Sequence, residues 1–188
     1  ELARALGDAP RTRGLAAAAG LSAAVLLLVA LGGGTREFAA WRASELPVHR
    51  AAGRWVKEHF PPGTLIATGN AGVIPYESDL PTVDMYGLCD RHIALRRMPK
   101  MGEGPAGHEK GDGAYVLDRA PRVVLIMRAR FSDAPVSVES VRGLRFSVSE
   151  RELFADPRFL ADYALRSARL PGFYFNYFER REPGSASS

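Results

Sequence analysis

The chain has 188 residues, a formal net charge of +4 and one cysteine, Cys89. A single cysteine excludes an intramolecular disulfide and a cysteine-built zinc cage. Acidic residues interleave with the 25 lysines and arginines over most of the length. That leaves no long basic stripe and argues against a nucleic-acid partner.

The chain begins at Glu1 rather than Met and enters on a basic stretch, so it reads as part of a longer or processed protein. Residues 1–13 form a basic flank with Arg4, Arg11 and Arg13. From Leu15 to Leu31 no side chain is charged and only Ser22 is polar. Extended to Gly14–Gly34, the run matches the roughly 20 residues a helix needs to cross a hydrocarbon core of about 30 Å. A helix satisfies every backbone group there from within the segment. Ala16, Gly20 and Ala24 recur at four-residue spacing, which suits packing against further membrane helices. A signal peptide and a buried soluble helix are the competing readings. The first usually has a shorter apolar core, and no Ala-x-Ala site directly follows this one. Arg36 and Arg42, partly offset by Glu37 and Glu45, follow the span. The three arginines ahead of it place the N-terminus in the cytoplasm and residues 35–181 on the periplasmic side of the inner membrane.

Thr35–Phe60 reads as a helix, with Trp41, Val48, Ala52, Trp55 and Val56 on one face. Ser44 is its candidate N-cap, with Pro47 in the first turn and Pro61-Pro62-Gly63 as the stop. Thr64–Thr68 is a short buried strand, Gly69–Gly72 a tight turn and Val73–Tyr76 a helical turn. Thr82–Met85 is a second strand, and Gly87–Arg96 turns into a short helix. Met98–Gly113 has no periodicity. Ala114–Arg119 is a brief helix, and Arg122–Met127 (RVVLIM) is the most apolar strand. Arg151–Leu160 reads as one helix containing Pro157. Tyr163–Leu170 and Phe173–Phe178 pair across Pro171-Gly172 as an antiparallel hairpin at the sheet edge. Residues 182–188 form a polar, disordered tail. The fold expected is α/β: one N-terminal transmembrane helix, then a small three-layer domain with a mostly parallel sheet and that C-terminal hairpin.

Three segments carry candidate chemistry. TLIATGNAG has a strand running into glycines, but no third glycine at dinucleotide spacing and no Walker lysine. A tight turn explains it as well as an anion site at the following helix does. In TVDMYGLCDRHIA, Asp84 ends a strand, where open α/β sheets gather ligands, and Asp90 and His92 lie just beyond. The three would hold a metal or act as acid and base on a sugar or phosphate. Alternatively Asp84 bonds local backbone, Asp90 caps a helix and His92 is a surface residue. The loop PKMGEGPAGHEKGDG places His108, Glu109, Lys110 and Asp112 together, with Lys100 nearby, for a phosphate, lipid head group or glycan and without zinc-ligand spacing; a plain solvated loop is the alternative. The aromatics of FYFNYF either pack in the core, stack on sugar rings or sit at the membrane interface. Cys89, beside apolar Leu88, is expected to be buried.

VHRAAGRWVKEHFPPGTLIATGNAGVIPYESDLPTVDMYGLCDRHIA (Val48–Ala94) resembles the C-terminal extracytoplasmic domain of bacterial GT-C-class membrane glycosyltransferases. The likeness is nearest to the terminal arabinofuranosyltransferase-like group, with weaker similarity at GPAGHEKGDGAYVL and RLPGFYFNYF. The family-pattern residues present are Gly72, Pro75, Tyr76, Asp84, Gly87, Leu88, Asp90 and His92. The resemblance implies a multi-pass enzyme that moves a sugar from a polyprenyl-phosphate donor to an envelope glycan or protein. Its catalytic acid would sit in an early extracytoplasmic loop that these residues do not include, so no catalytic residue carries over. A divalent cation, if the enzyme uses one, would belong to the full-length protein. The partners implied are the bilayer, upstream membrane helices of the same protein, and the glycan acceptor. The acceptor is expected at Asp84, Asp90, His92 and the His108–Asp112 loop. A non-catalytic, membrane-anchored interaction module is the alternative. A free-standing hydrolase has only the Asp84–His92 cluster in its favour.

Overall fold

A computed structural model of the chain describes residues 2–99, 101–104, 106–145 and 147–182, with backbone alone for 2–13 and 33. Lys100, residues 183–188 of the tail expected at 182–188, and the side chains of Arg4, Arg11 and Arg13 lie outside the described residues. The chain divides after Pro47 into two units.

The first unit holds α1 (Leu2–Leu31) and the start of α2 (Gly33–His59). Within α1, Gly14–Leu31 is long and apolar enough to cross a membrane, and none of that window is buried inside the chain. The helix stops three residues before the expected Gly34. At the break, the Gly32 N–H bonds Val29 O, and the Thr35 hydroxyl donates to the carbonyls of Gly32 (2.8 Å) and Ala30 (2.9 Å). Carbonyls left over at a helix end are commonly taken up by such a side chain. Ser44 is not an N-cap. Its hydroxyl donates back to Ala40 O at 2.9 Å, and α2 passes through Pro47 without a new start. Pro47 merely removes one internal hydrogen-bond donor.

The second unit is built on β1 (Ile66–Thr68), β2 (Thr82–Asp84), β3 (Val123–Leu125), β4 (Phe131–Ser132), β5 (Tyr163–Leu170) and β6 (Phe173–Arg180). The sheet order is β2-β1-β3-β6-β4, with β5 along the other side of β6. β1 runs parallel to both neighbours, with Ile66 opposite Thr82 and Val123. The later pairings are antiparallel, Val124 opposite Phe178 and Phe131 opposite Phe175. The hairpin therefore closes one end of the sheet as expected. β5 forms the edge, and β6 is paired on both sides.

Alternation along each strand sends side chains to two cores, because successive residues point to opposite faces. On one face Ile66, Val123, Leu125, Phe175 and Tyr177 pack with Ala52 and Val56 of α2, with Phe60 just after it, and with Ile74 of α3 (Val73–Ser78). Trp55 stands edge-on to Phe175 at 5.6 Å. On the other, Ala67, Val83, Val124, Ile126 and Phe178 meet α4 (Arg91–Leu95), α5 (Gly113–Asp118), α6 (Val138–Leu144), α7 (Val148–Ala155) and α8 (Pro157–Asp162). The domain is thus a three-layer α/β sandwich with an open, mixed sheet. FYFNYF belongs to these cores: residues 175–178 are all buried.

The single helix expected at Arg151–Leu160 is two. Asp156 ends α7 and caps α8, accepting the Arg158 N–H, while Pro157 occupies the first turn of α8. A proline is welcome there because its missing N–H would have had no partner.

Candidate functional site

The chain leaves β1 for β2 on one side, then returns to β3 on the other. That reversal makes a topological switch point at the carboxyl ends of β1 and β3, where open α/β sheets bind ligands. A cleft of about 600 Å³ lies there, within the range of ligand sites. The turn after β1 supplies Gly69–Gly72, and the turn after β2 supplies Tyr86, Leu88 and Cys89. The long loop brings Ala106–His108, and Met127 follows β3.

Each wall has a local cause. Asp84, only 1% exposed, accepts the N–H groups of Tyr86 (3.0 Å) and Cys89 (2.6 Å) and so folds the β2 turn back on itself. Gly87 takes a positive φ of 74° inside that turn, where glycine is unstrained. Leu88 and Cys89 are thereby turned outward and exposed, so the expected burial of Cys89 does not hold. The Tyr86 ring lies over Gly69, and its hydroxyl donates to the Met127 sulfur. Gly69 is therefore a close-approach glycine. Burial first, then the nearby Glu150 carboxylate, pushes the Tyr86 phenol well above its ordinary pKa, with Arg130, a hydrogen bond to Ser147 and Arg128 opposing. His108 stands edge-on to Tyr86, ring centres 4.8 Å apart.

In the turn after β1, the Asn70 N–H donates to Thr68 Oγ1 and the Gly72 N–H to Asn70 Oδ1, both at 3.2 Å. Glu150, fully buried, receives the Met127 N–H (2.8 Å) and the Ser147 N–H (3.0 Å), joining the end of β3 to the start of α7. Two cleft walls are thus fixed by carboxylates that do not line it.

The glycine-rich loop is held from within. Glu109 accepts the N–H groups of Gly102 (2.7 Å) and Gly104 (2.9 Å). The Lys110 ammonium donates to the carbonyl of Ala94 at the end of α4. Asp112 caps α5 by accepting the Tyr115 N–H at 3.0 Å, and its own N–H donates to Ser149 Oγ at 2.9 Å. A β-carbon on Gly111 would stand 2.7 Å from Ser149 Oγ, and one on Gly113 2.6 Å from Glu152 Cβ. Both glycines let the loop lie directly on α7.

A second groove, about 480 Å³, is lined by Arg91, His92, Leu95, Arg96 and Asp112. His92 Nε2 lies 3.0 Å from Asp112 Oδ2, and its ring stacks on Tyr115 at 4.0 Å. Arg96 bridges Asp112 (3.6 Å) and Glu152 (2.9 Å). Burial raises the Asp112 carboxyl, but the Tyr115 N–H, His92 and Arg96 outweigh it and hold the group below the usual carboxylate range.

The seven residues singled out in the sequence therefore separate. His108 lines the first cleft, and His92 and Asp112 line the second groove. Asp84, Glu109 and Lys110 bond backbone groups. Asp90 caps α4 through the Ile93 N–H (3.1 Å) and receives the Tyr115 hydroxyl (3.1 Å). Asp84, Asp90 and His92 do not converge. Among the described residues no three His, Cys, Asp or Glu side chains are grouped to hold a metal, so the residues present do not fit a divalent-ion site. The sequence reading missed Asn70, Tyr86 and Glu150. Only Glu150 carried a usable signal, the capping pattern Ser147-x-x-Glu150.

A three-layer α/β domain with a ligand-sized cleft at its switch point is the class that fold and site define. Residues 37–180 match the family model described as Domain of unknown function (DUF8728). The match spans most of the chain, and the chain belongs to that family. No curated protein and no solved structure matches it.

Proposed function

We propose that this chain is the C-terminal, extracytoplasmic part of a multi-pass membrane glycosyltransferase of the GT-C class. Its α/β domain binds the glycan acceptor, while the sugar comes from a polyprenyl-phosphate donor. The catalytic acid and the remaining membrane helices belong to other parts of the protein. The observation that carries the reading is the cleft at the carboxyl ends of β1–β3, where His108, Asn70 and Tyr86 meet an opening of sugar-binding size. The motif progression over Val48–Ala94 supports the class. The unburied Gly14–Leu31 helix supports a membrane span, and the arginines ahead of it favour a domain on the periplasmic side of the inner membrane.

The test is titration of the full chain in nanodiscs with neutral arabinofuranosyl and hexosyl oligosaccharides. Saturable binding is expected. His108→Ala should weaken it about fivefold, the worth of one neutral hydrogen bond of about 1 kcal/mol, with the melting temperature unchanged. Absence of binding to every glycan contradicts the reading.

One observation favours the alternative, a non-catalytic anchored interaction module. Asp84, Glu109 and Lys110 bond backbone groups and Asp90 caps α4, so none of the four is left facing a ligand. That reading expects His108→Ala to alter no small-molecule binding at all.

A further inference from the structure

We infer that the switch-point cleft selects an uncharged sugar ring and turns away ligands bearing phosphate or carboxylate, an inference that rests on the cleft being the carbohydrate site proposed above. Among the described residues that line it, none is Asp, Glu, Lys or Arg, and the titratable ones are Tyr86, Cys89 and His108. Burial keeps the Tyr86 phenol protonated. The described lining therefore carries no carboxylate, ammonium or guanidinium.

The glycine-rich turn after β1 does not reverse this. A phosphate cradle needs a run of backbone N–H groups directed at the anion. Here the N–H groups of Asn70 and Gly72 donate to Thr68 Oγ1 and Asn70 Oδ1. With its oxygen so engaged, Asn70 keeps its Nδ2 donor for a ligand hydroxyl. The nearest full charges, Glu150, Arg130 and Arg128, reach Tyr86 from outside the lining. Glu150 holds the N–H groups of Met127 and Ser147. Arg130 is buried against His49 and donates to the Met127 carbonyl. Arg128, exposed and next to Met127 in the chain, does not line the cleft.

An anion entering such a site sheds hydration and meets no charged partner among the described lining residues, which is unfavourable. A neutral sugar meets the opposite situation. Its hydroxyls find the Asn70 amide and backbone groups, and its C–H face finds Leu88, which is 70% exposed. A polyprenyl-phosphate head group is thereby excluded from this cleft, which leaves the acceptor.

Cys89 makes the test direct, because it is the chain's one cysteine, is exposed and lines the cleft. The alkylation rate of Cys89 by N-ethylmaleimide is measured on the full chain in nanodiscs at mildly alkaline pH. The ligands are methyl arabinofuranoside and a neutral arabinofuranosyl disaccharide, against arabinose 5-phosphate and glucuronate. A neutral ligand at twice its dissociation constant should slow labelling about threefold, and the anionic ligands at the same concentration should leave the rate unchanged. Leu88→Arg, which sets a counter-charge at the exposed mouth, should admit arabinose 5-phosphate and slow labelling in its presence. Equal or stronger protection of the natural chain by the anions overturns the charge selectivity while leaving carbohydrate binding standing. Absence of protection by all four overturns the carbohydrate reading of the cleft, and this inference with it.

Discussion

A β-carbon on Gly69 would stand 2.7 Å from the Tyr86 hydroxyl, so the ring can cover the end of β1 only because that residue has no side chain. Gly69→Ala should lower stability by about 2 kcal/mol through overpacking and displace Tyr86 from the cleft. Gly143 in α6 has nothing within 4 Å of its would-be β-carbon. Gly143→Ala should be neutral or stabilising by up to about 1 kcal/mol. Urea unfolding with an unchanged slope checks both. Asp112 gives the pH dependence. Its folded-state pKa is depressed, so its contribution is complete above the unfolded carboxylate value of about 3.9 and is lost as pH falls through the lower folded value. Stability should therefore drop on acidification through the carboxylate range. Asp112→Asn should be less stable than the natural chain near neutrality and should show a flatter acid limb in the same urea measurement.

At the scale of elements, α1 is where sequence and structure meet most simply. Gly14–Leu31 has no charged residue and buries nothing within the chain. If it spans a bilayer, the expressed chain should stay in the membrane pellet through alkaline carbonate extraction. Release into the supernatant would contradict the span. The strands at 66–68, 82–84 and 123–125 were legible as short apolar runs near Gly and Pro, 163–170 as an alternating run, and 173–180 as an aromatic run expected to end two residues sooner, at Phe178. β4, two residues long, carries no period that a sequence could show. α6 opens with Ser137 capping Ser140, a pair too common to read as a start. Ser147-x-x-Glu150 marks the start of α7, three residues before the Arg151 at which the helix was expected. Pro157 looked like an interior residue only because Asp156 was not recognised as the cap before it. Ser44 misled for the converse reason, since a capping residue type inside a helix can bond the previous turn.

Across the whole molecule, the α-β-α-β order made the parallel half of the sheet legible, because a helical crossover returns the chain to the same end of the sheet and leaves the next strand parallel. The attachment of β6 to both β3 and β4 was not, since it joins residues about fifty positions apart. The cleft followed the same division. Asp84 marked the right end of the sheet, yet it lies 1% exposed beneath the turn it folds. The residues that face the opening come from three loops and the end of β3, and their association depends on Tyr86 reaching across to Gly69 and Met127. Polar residues drew notice in the sequence, and the fold uses most of them on its own backbone. The central claim, that a glycan acceptor sits at the switch point, is tested most directly by amide chemical shifts of the isotopically labelled full chain in nanodiscs during titration with a neutral arabinofuranosyl oligosaccharide. Shifts should concentrate at Gly69–Gly72, Leu88–Cys89 and the Gly107–His108 amides. Shifts confined to the Arg91–Arg96 and Asp112 groove, or none at saturating sugar, would contradict it.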